Sequence, residues 1–102
     1  MATLMVLYNT PSDPAAFDAY YFNKHIPIAK KIPGLRKYEV NQGPDATPEG
    51  PSPYHLIALL HFDSMAAIGA AFASAEGQAA AGDLKNFAQA GAQLLMCETR
   101  TV

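Results

Sequence analysis

The sequence predicts an α+β domain of the ferredoxin-like class, in βαββαβ order with a four-stranded antiparallel sheet. Three observations lead there. Strand-like apolar runs lie at Leu4 to Asn9, Leu35 to Gln42, Tyr54 to Phe62 and Ala92 to Val102. Helical stretches separate the first run from the second and the third from the fourth. The chain has 102 residues, which suits one domain over 1–102 and hardly two.

Leu4 to Asn9 reads as a buried strand closed by Thr10-Pro11-Ser12-Asp13-Pro14. Asp13 can cap the next helix with its carboxylate, and Pro14 suits the first helical position because its missing N–H is not needed there. Phe17, Tyr20, Tyr21, Ile28 and Ile32 share one helical stripe, so the helix is expected from Pro14 towards Ile32. Pro27 should kink it, Lys30 and Lys31 should complement its dipole, and Pro33-Gly34 should end it. Leu35 to Gln42 alternates as a half-exposed, edge-like strand. The Pro- and Gly-rich stretch from Gly43 to Pro53 is expected to be a long, mobile hairpin tip. Tyr54 to Phe62 is a second strong strand. A helix capped by Asp63 or Ser64 should run from Met65 and end at Gly77, with a further short helix from Asp83 to Ala90 and a final strand from Ala92 to Val102.

Composition removes several classes. A formal charge of −2 offers no basic patch for nucleic acid. Only 16% of residues are charged, which is not the makeup of a disordered chain. The single Cys97 allows no internal disulfide and reads as a buried thiol in a reducing compartment. The N-terminus lacks the charged start of a signal peptide, and Met65 to Ala75 is too short to span a bilayer, so the expected location is the cytoplasm.

The central strands have one apolar face too many. Tyr54, Leu56, Ala58, Leu60 and Phe62 point one way, and Ile57 and Leu59 the other, flanked by His55 and His61. The first strand repeats this with Leu4, Val6 and Tyr8 against Met5 and Leu7. Helices in this architecture cover one face only. The second face, roughly 400 Å², would forfeit on the order of 10 kcal/mol of burial if left wet. A domain stable by about 5–15 kcal/mol does not leave that unused. A homodimer joined through the uncovered sheet faces is therefore expected. Which of the two faces meets the helices is open at this stage, since both are apolar.

Chemistry centres on His25, four residues after Tyr21 and at the edge of the apolar stripe. An imidazole there could serve as general base or acid near neutral pH. The same position suits a half-buried histidine bonded to a backbone carbonyl. Tyr8, Tyr20, Tyr21, Tyr38 and Tyr54 are many phenols for a chain without tryptophan, and buried phenols suit a small hydrophobic or aromatic ligand. Tyr8, Tyr21 and Tyr38, with His61, form the candidate substrate-binding set, although most such phenols simply pack at sheet rims and seams. His55 and His61 are about 20 Å apart along one strand and cannot share a metal within one chain. No metal-ligand cluster, phosphate loop or nucleophile motif is present, so neither metal nor bound cofactor is expected.

The segment Phe17-x-x-Tyr20-Tyr21-x-x-x-His25-x-Pro27-x-Ala29-x-x-x-Pro33-Gly34-Leu35 resembles the signature of the EthD family, and Phe87-Ala88-x-x-Gly91 resembles its C-terminal pattern. The resemblance implies a dimeric α+β barrel, in which ferredoxin-like protomers pack sheet to sheet, each with a small hydrophobic pocket. Related barrels include cofactor-free oxygenases of aromatic polyketides, lactone isomerases such as methylmuconolactone methylisomerase, and haem binders. What it implies here is a small cofactor-independent enzyme, oxygenase or isomerase in type, acting on an aromatic or lactone-like molecule with His25 as base or acid. A non-catalytic ligand-binding or accessory protein and a haem-binding dimer are the alternatives. A haem site would need His25, His55 or His61 as axial ligand.

Overall fold

The computed structural model describes residues 1–102. Strands β1 (Ala2–Asn9), β2 (Lys37–Val40), β5 (Tyr54–Phe62) and β6 (Ala92–Glu98) form an antiparallel sheet in the order β2-β5-β1-β6. With the helices on one face, this is the expected α+β ferredoxin-like fold. Strand β2 is indeed an edge, though shorter than the run from Leu35 to Gln42. The connection from Gly43 to Pro53 contains a small hairpin, β3 (Ala46–Thr47) and β4 (Gly50–Pro51), closed by the Thr47 hydroxyl on the Gly50 carbonyl and by Ser52 on Asp45.

The register settles which face the helices cover. Leu4, Val6 and Tyr8 of β1 lie opposite Leu60, Ala58 and Leu56 of β5, and all six are buried under helices. Met5 and Leu7 point away, beside Leu59 and Ile57, with Leu95 of β6 next to Met5. Leu95 is 56% exposed, so this second face is an apolar surface within the protomer. Cys97 shares that side, opposite Thr3, and is exposed rather than buried, because no helix covers it.

The first helical arm is three pieces. Helix α1 (Pro14–Tyr20) starts as expected, with the Asp13 carboxylate accepting from the Ala16 N–H at 3.1 Å. A π-helical turn over Tyr21–His25 follows, and then α2 (Ile26–Ala29), which ends one turn before Ile32. The disturbance thus lies upstream of Pro27. Proline cannot donate to the preceding turn, and its ring crowds the carbonyl there. Widening that turn relieves both, and the Ile26 N–H reaches back to the Tyr21 carbonyl.

After β5, Ser64 rather than Asp63 caps α3 (Met65–Ala73), because Asp63 is held by Arg36. The chain then turns at Ser74, whose hydroxyl caps α4 (Ala75–Phe87) at the Gly77 N–H. Two expectations fail here. Gly77 ends no helix, and Asp83 begins none. Gly77 lies in the first turn of α4 because a Cβ there would sit 2.0 Å from the Ala71 carbonyl oxygen. Asp83 sits in the middle of a 13-residue helix, on its buried side. Gly91, at φ +100°, makes the turn into β6, a left-handed backbone that glycine adopts without strain. No helix is long and apolar enough to cross a membrane.

Candidate functional site

His25 closes the π-helical turn, and α4 crosses behind it carrying Asp83. The Nδ1 of His25 lies 2.9 Å from Oδ2 of Asp83, and both side chains are 6% exposed. The other carboxylate oxygen, Oδ1, accepts from the Tyr20 hydroxyl at 2.7 Å and from the Asn86 amide at 2.9 Å. Asp83 therefore has three donors. Burial works to raise its pKa, but the hydrogen bonds from Tyr20, Asn86 and His25 outweigh it and hold the carboxyl below its usual range. Burial also holds the His25 imidazole below its ordinary range, against the opposing pull of Asp83. At neutral pH the pair is a carboxylate and a neutral imidazole. A carboxylate can only accept, so the imidazole proton sits on Nδ1 and Nε2 carries a lone pair.

His25 is also the one polar ionisable group other than phenols on a small cavity beneath the sheet. Its wall is hydrocarbon, including Leu4, Val6, Leu60 and Leu94, with the phenols of Tyr8 and Tyr38 added. The volume is about 40 Å³. That is room for a few waters, each needing about 10–15 Å³ on this measure, and far below the roughly 150 Å³ of a benzene-binding cavity. Leu94, 43% exposed, stands where this wall meets solvent.

The phenols form a second polar element. The hydroxyls of Tyr21 and Tyr38 are 2.5 Å apart. Burial pushes Tyr8, Tyr21 and Tyr38 above the usual tyrosine range, so all three remain O–H groups. Tyr8 also bonds to Tyr21, and three hydroxyls joined by two hydrogen bonds leave one O–H of the trio free to donate. Tyr21 is one step back from the cavity, packing on His25 with ring centroids 5.3 Å apart. Tyr8 packs edge-on to Phe17 and Tyr21, at 5.4 and 5.5 Å.

The structure thus gathers His25, Tyr8, Tyr21 and Tyr38 into one region. His61 is elsewhere. It projects from the helix-free face of β5 and is held by Glu39 at 2.8 Å and Thr3 at 3.3 Å. His55 pairs with Asp18 at 2.7 Å. No group of three or more His, Cys, Asp or Glu side chains could hold a metal ion. Of the three histidines considered as axial ligands, only His25 lies on the cavity. Sequence reading missed Asp83 and Asn86. The signal was present as a lone carboxylate within the apolar stripe Ala80, Leu84, Phe87.

Residues 9–91 match the EthD domain. A relative from Rhodococcus erythropolis, described as an uncharacterized 11.0 kDa protein in the thcB–thcC intergenic region, is 42% identical over 102 residues, covering 100% of this chain and 98% of its own. The chain belongs to the EthD family. A crystal structure of an EthD family protein from Bacillus halodurans C-125 is 35% identical, with a TM-score of 0.89 over 98% of this chain and 99% of that one. The fold is shared more widely. SnoaB of Streptomyces nogalater, described as a cofactor-independent oxygenase, has a TM-score of 0.69 at 15% identity, covering 99% of the EthD chain and 94% of its own. Other ferredoxin-like structures of this shape are described as dimeric.

Proposed function

We propose that this EthD protein is a small homodimeric enzyme that works without a bound cofactor, using His25 as general base on a small hydrophobic molecule. The observation that carries the reading is the neutral imidazole with Nδ1 on buried Asp83 and its Nε2 lone pair available at an apolar cavity. Nε2 takes a proton from an activated C–H or a phenol of the substrate. Asp83 stabilises the imidazolium that forms, as a carboxylate behind a catalytic histidine does. The negative charge left on the substrate oxygen is met by the O–H that the Tyr8, Tyr21 and Tyr38 hydroxyls leave free. The proton returned to a different carbon makes the reaction an isomerisation, as for a lactone. A carbanion that instead bonds to dioxygen, the oxidant, gives a peroxide that takes the proton back from the His25 imidazolium, an oxygenation, which is the activity in SnoaB's description.

Size bears on the substrate. The cavity admits only a reacting group of a few atoms, and the rest of an aromatic or lactone-like molecule extends past exposed Leu94. Dimerisation is supported by the apolar, helix-free face centred on Met5, Leu59 and Leu95, and by the dimeric description of proteins of like fold.

The test offers phenolic and lactone substrates to wild type and to His25→Ala, following product mass and dioxygen uptake together. Turnover that falls by about 100-fold or more in His25→Ala is expected for a lost general base. Turnover retained in that variant overturns the mechanism, and binding without product in wild type points to an accessory ligand-binding role.

A further inference from the structure

His25 meets the cavity, and burial keeps it a free base; how strongly Asp83 opposes that is set on the far side of the carboxylate. Oδ2 of Asp83 faces His25, while Oδ1 is occupied by two donors at once, the Tyr20 hydroxyl at 2.7 Å and the Asn86 amide at 2.9 Å. Neither Tyr20 nor Asn86 lines the cavity. Both border a solvent-facing groove with Asp13 and Phe87. They come from different elements. Tyr20 ends α1 just before the π-helical turn, and Asn86 is in the last turn of α4, three residues after Asp83. The Tyr20 ring stacks on Phe87, with centroids 5.4 Å apart, which aims its hydroxyl at Oδ1.

We propose that Tyr20 and Asn86 are positioning residues that hold Asp83 ionised and draw off its charge, so that His25 stays unprotonated at Nε2 at neutral pH. A buried carboxylate with a single donor, His25 Nδ1–H, would concentrate its charge on that contact and favour the imidazolium. Two donors on Oδ1 share the charge. The carboxylate still fixes the proton on Nδ1, but it attracts a second proton to the ring less strongly. The other titratable groups around His25 do not compete for this role. Tyr21 on the π-helical turn, Tyr8 on β1 and Tyr38 on β2 are buried phenols that stay neutral.

This inference rests on His25 being the base, yet its test needs no substrate. Histidine ring resonances are followed by NMR against pH in wild type, Tyr20→Phe, Asn86→Ala and each of these combined with Asp83→Asn. Tyr20→Phe keeps the stacking ring and removes only the hydroxyl. One hydrogen bond to a charged group corresponds to about one to two pKa units on the carboxylate, so the His25 midpoint should rise by up to about that much in each single variant. With Asp83→Asn as background the shift should vanish, because the charge that Tyr20 and Asn86 act on is gone. A His25 midpoint unchanged in both folded single variants overturns the proposal. So does a shift that survives in the Asp83→Asn background, which would mean a general loosening of the site. If no substrate is ever turned over, the titration still decides the wiring, and the two readings fail separately.

Discussion

Replacing His25 by Gln should flatten the acid limb of this protein's stability. His25 is 5% exposed, and burial lowers its pKa below the 6.5 of an ordinary imidazole. As the pH falls past 6.5 the unfolded chain takes up a proton there and the folded chain does not. The unfolded state then binds more protons, so stability falls with falling pH until the folded pKa is reached. The limiting slope is about 1.4 kcal/mol per pH unit. Between pH 7 and pH 5.5 proton uptake by the unfolded chain limits the cost of this one residue to at most about 1 kcal/mol, against a total near 5–15 kcal/mol. Asp83 adds a loss of the same sign at lower pH. Its folded pKa lies below 3.8, so its contribution is present above that value and disappears as the pH falls through the folded pKa. Gln can keep an amide donor towards Asp83 without titrating. The assay is denaturant unfolding of wild type and His25→Gln at pH 7.0, 6.5, 6.0 and 5.5, at one protein concentration, because a dimer's stability depends on it. His55 and His61 are common to both proteins and cancel in the difference. A difference between the two proteins that stays constant within about 0.3 kcal/mol across this range would refute the buried, proton-resisting state of His25.

Two further outcomes test the frame around the site. Leu59→Lys with Leu95→Lys puts two charges on the helix-free face, and light scattering should then report the 10.9 kDa chain where wild type reports twice that mass. Cys97 on the same face should react faster with a thiol reagent in the double variant, and a monomeric wild type would remove the dimer altogether. Gly77→Ala drives a Cβ to 2.0 Å from a backbone oxygen that cannot swing aside. Overpacking of about 1–3 kcal/mol should lower Tm by at least about 5 °C, and a Tm within about 2 °C of wild type would refute the close approach of α3 and α4.

The strand order, the Asp13 cap and the edge position of β2 were legible in the sequence because each has a local signature. Apolar runs, a capping side chain and alternation all act over a few residues. The loop from Gly43 to Pro53 and the helix from Ala75 were not. Proline and glycine marked a long hairpin connection, and Thr47, Ser52 and Asp45 supply the polar bonds that organise a second small hairpin within it. Gly77 carried the usual stop signal of a helix, and only the nearness of the Ala71 carbonyl explains why a glycine sits inside one. Cys97 looked like a core thiol because the type usually is. Its exposure follows from its register opposite Thr3, and strand pairing cannot be read from composition.

The site divides along the same line. His25 and Tyr21 share a helical stripe and were accessible to sequence reading, whereas both faces of the strands were apolar, so Tyr8 and Tyr38 were named together with His61, which lies on the opposite face. Asp83 stands out in the sequence only as a lone carboxylate in an apolar stripe, and its role depends on a partner 58 positions away. The π-helical turn joins the two halves. Tyr20 precedes it, Tyr21 opens it and His25 closes it. From this one stretch Tyr20 reaches Oδ1 of Asp83, His25 reaches Oδ2, and Tyr21 reaches the Tyr38 hydroxyl. Pro27 disfavours a regular helix just where that widened turn is needed. Reading the proline as a kink located the irregularity to within a turn. The three side chains it distributes among α4, β2 and the cavity make that turn the structural centre of the proposed chemistry.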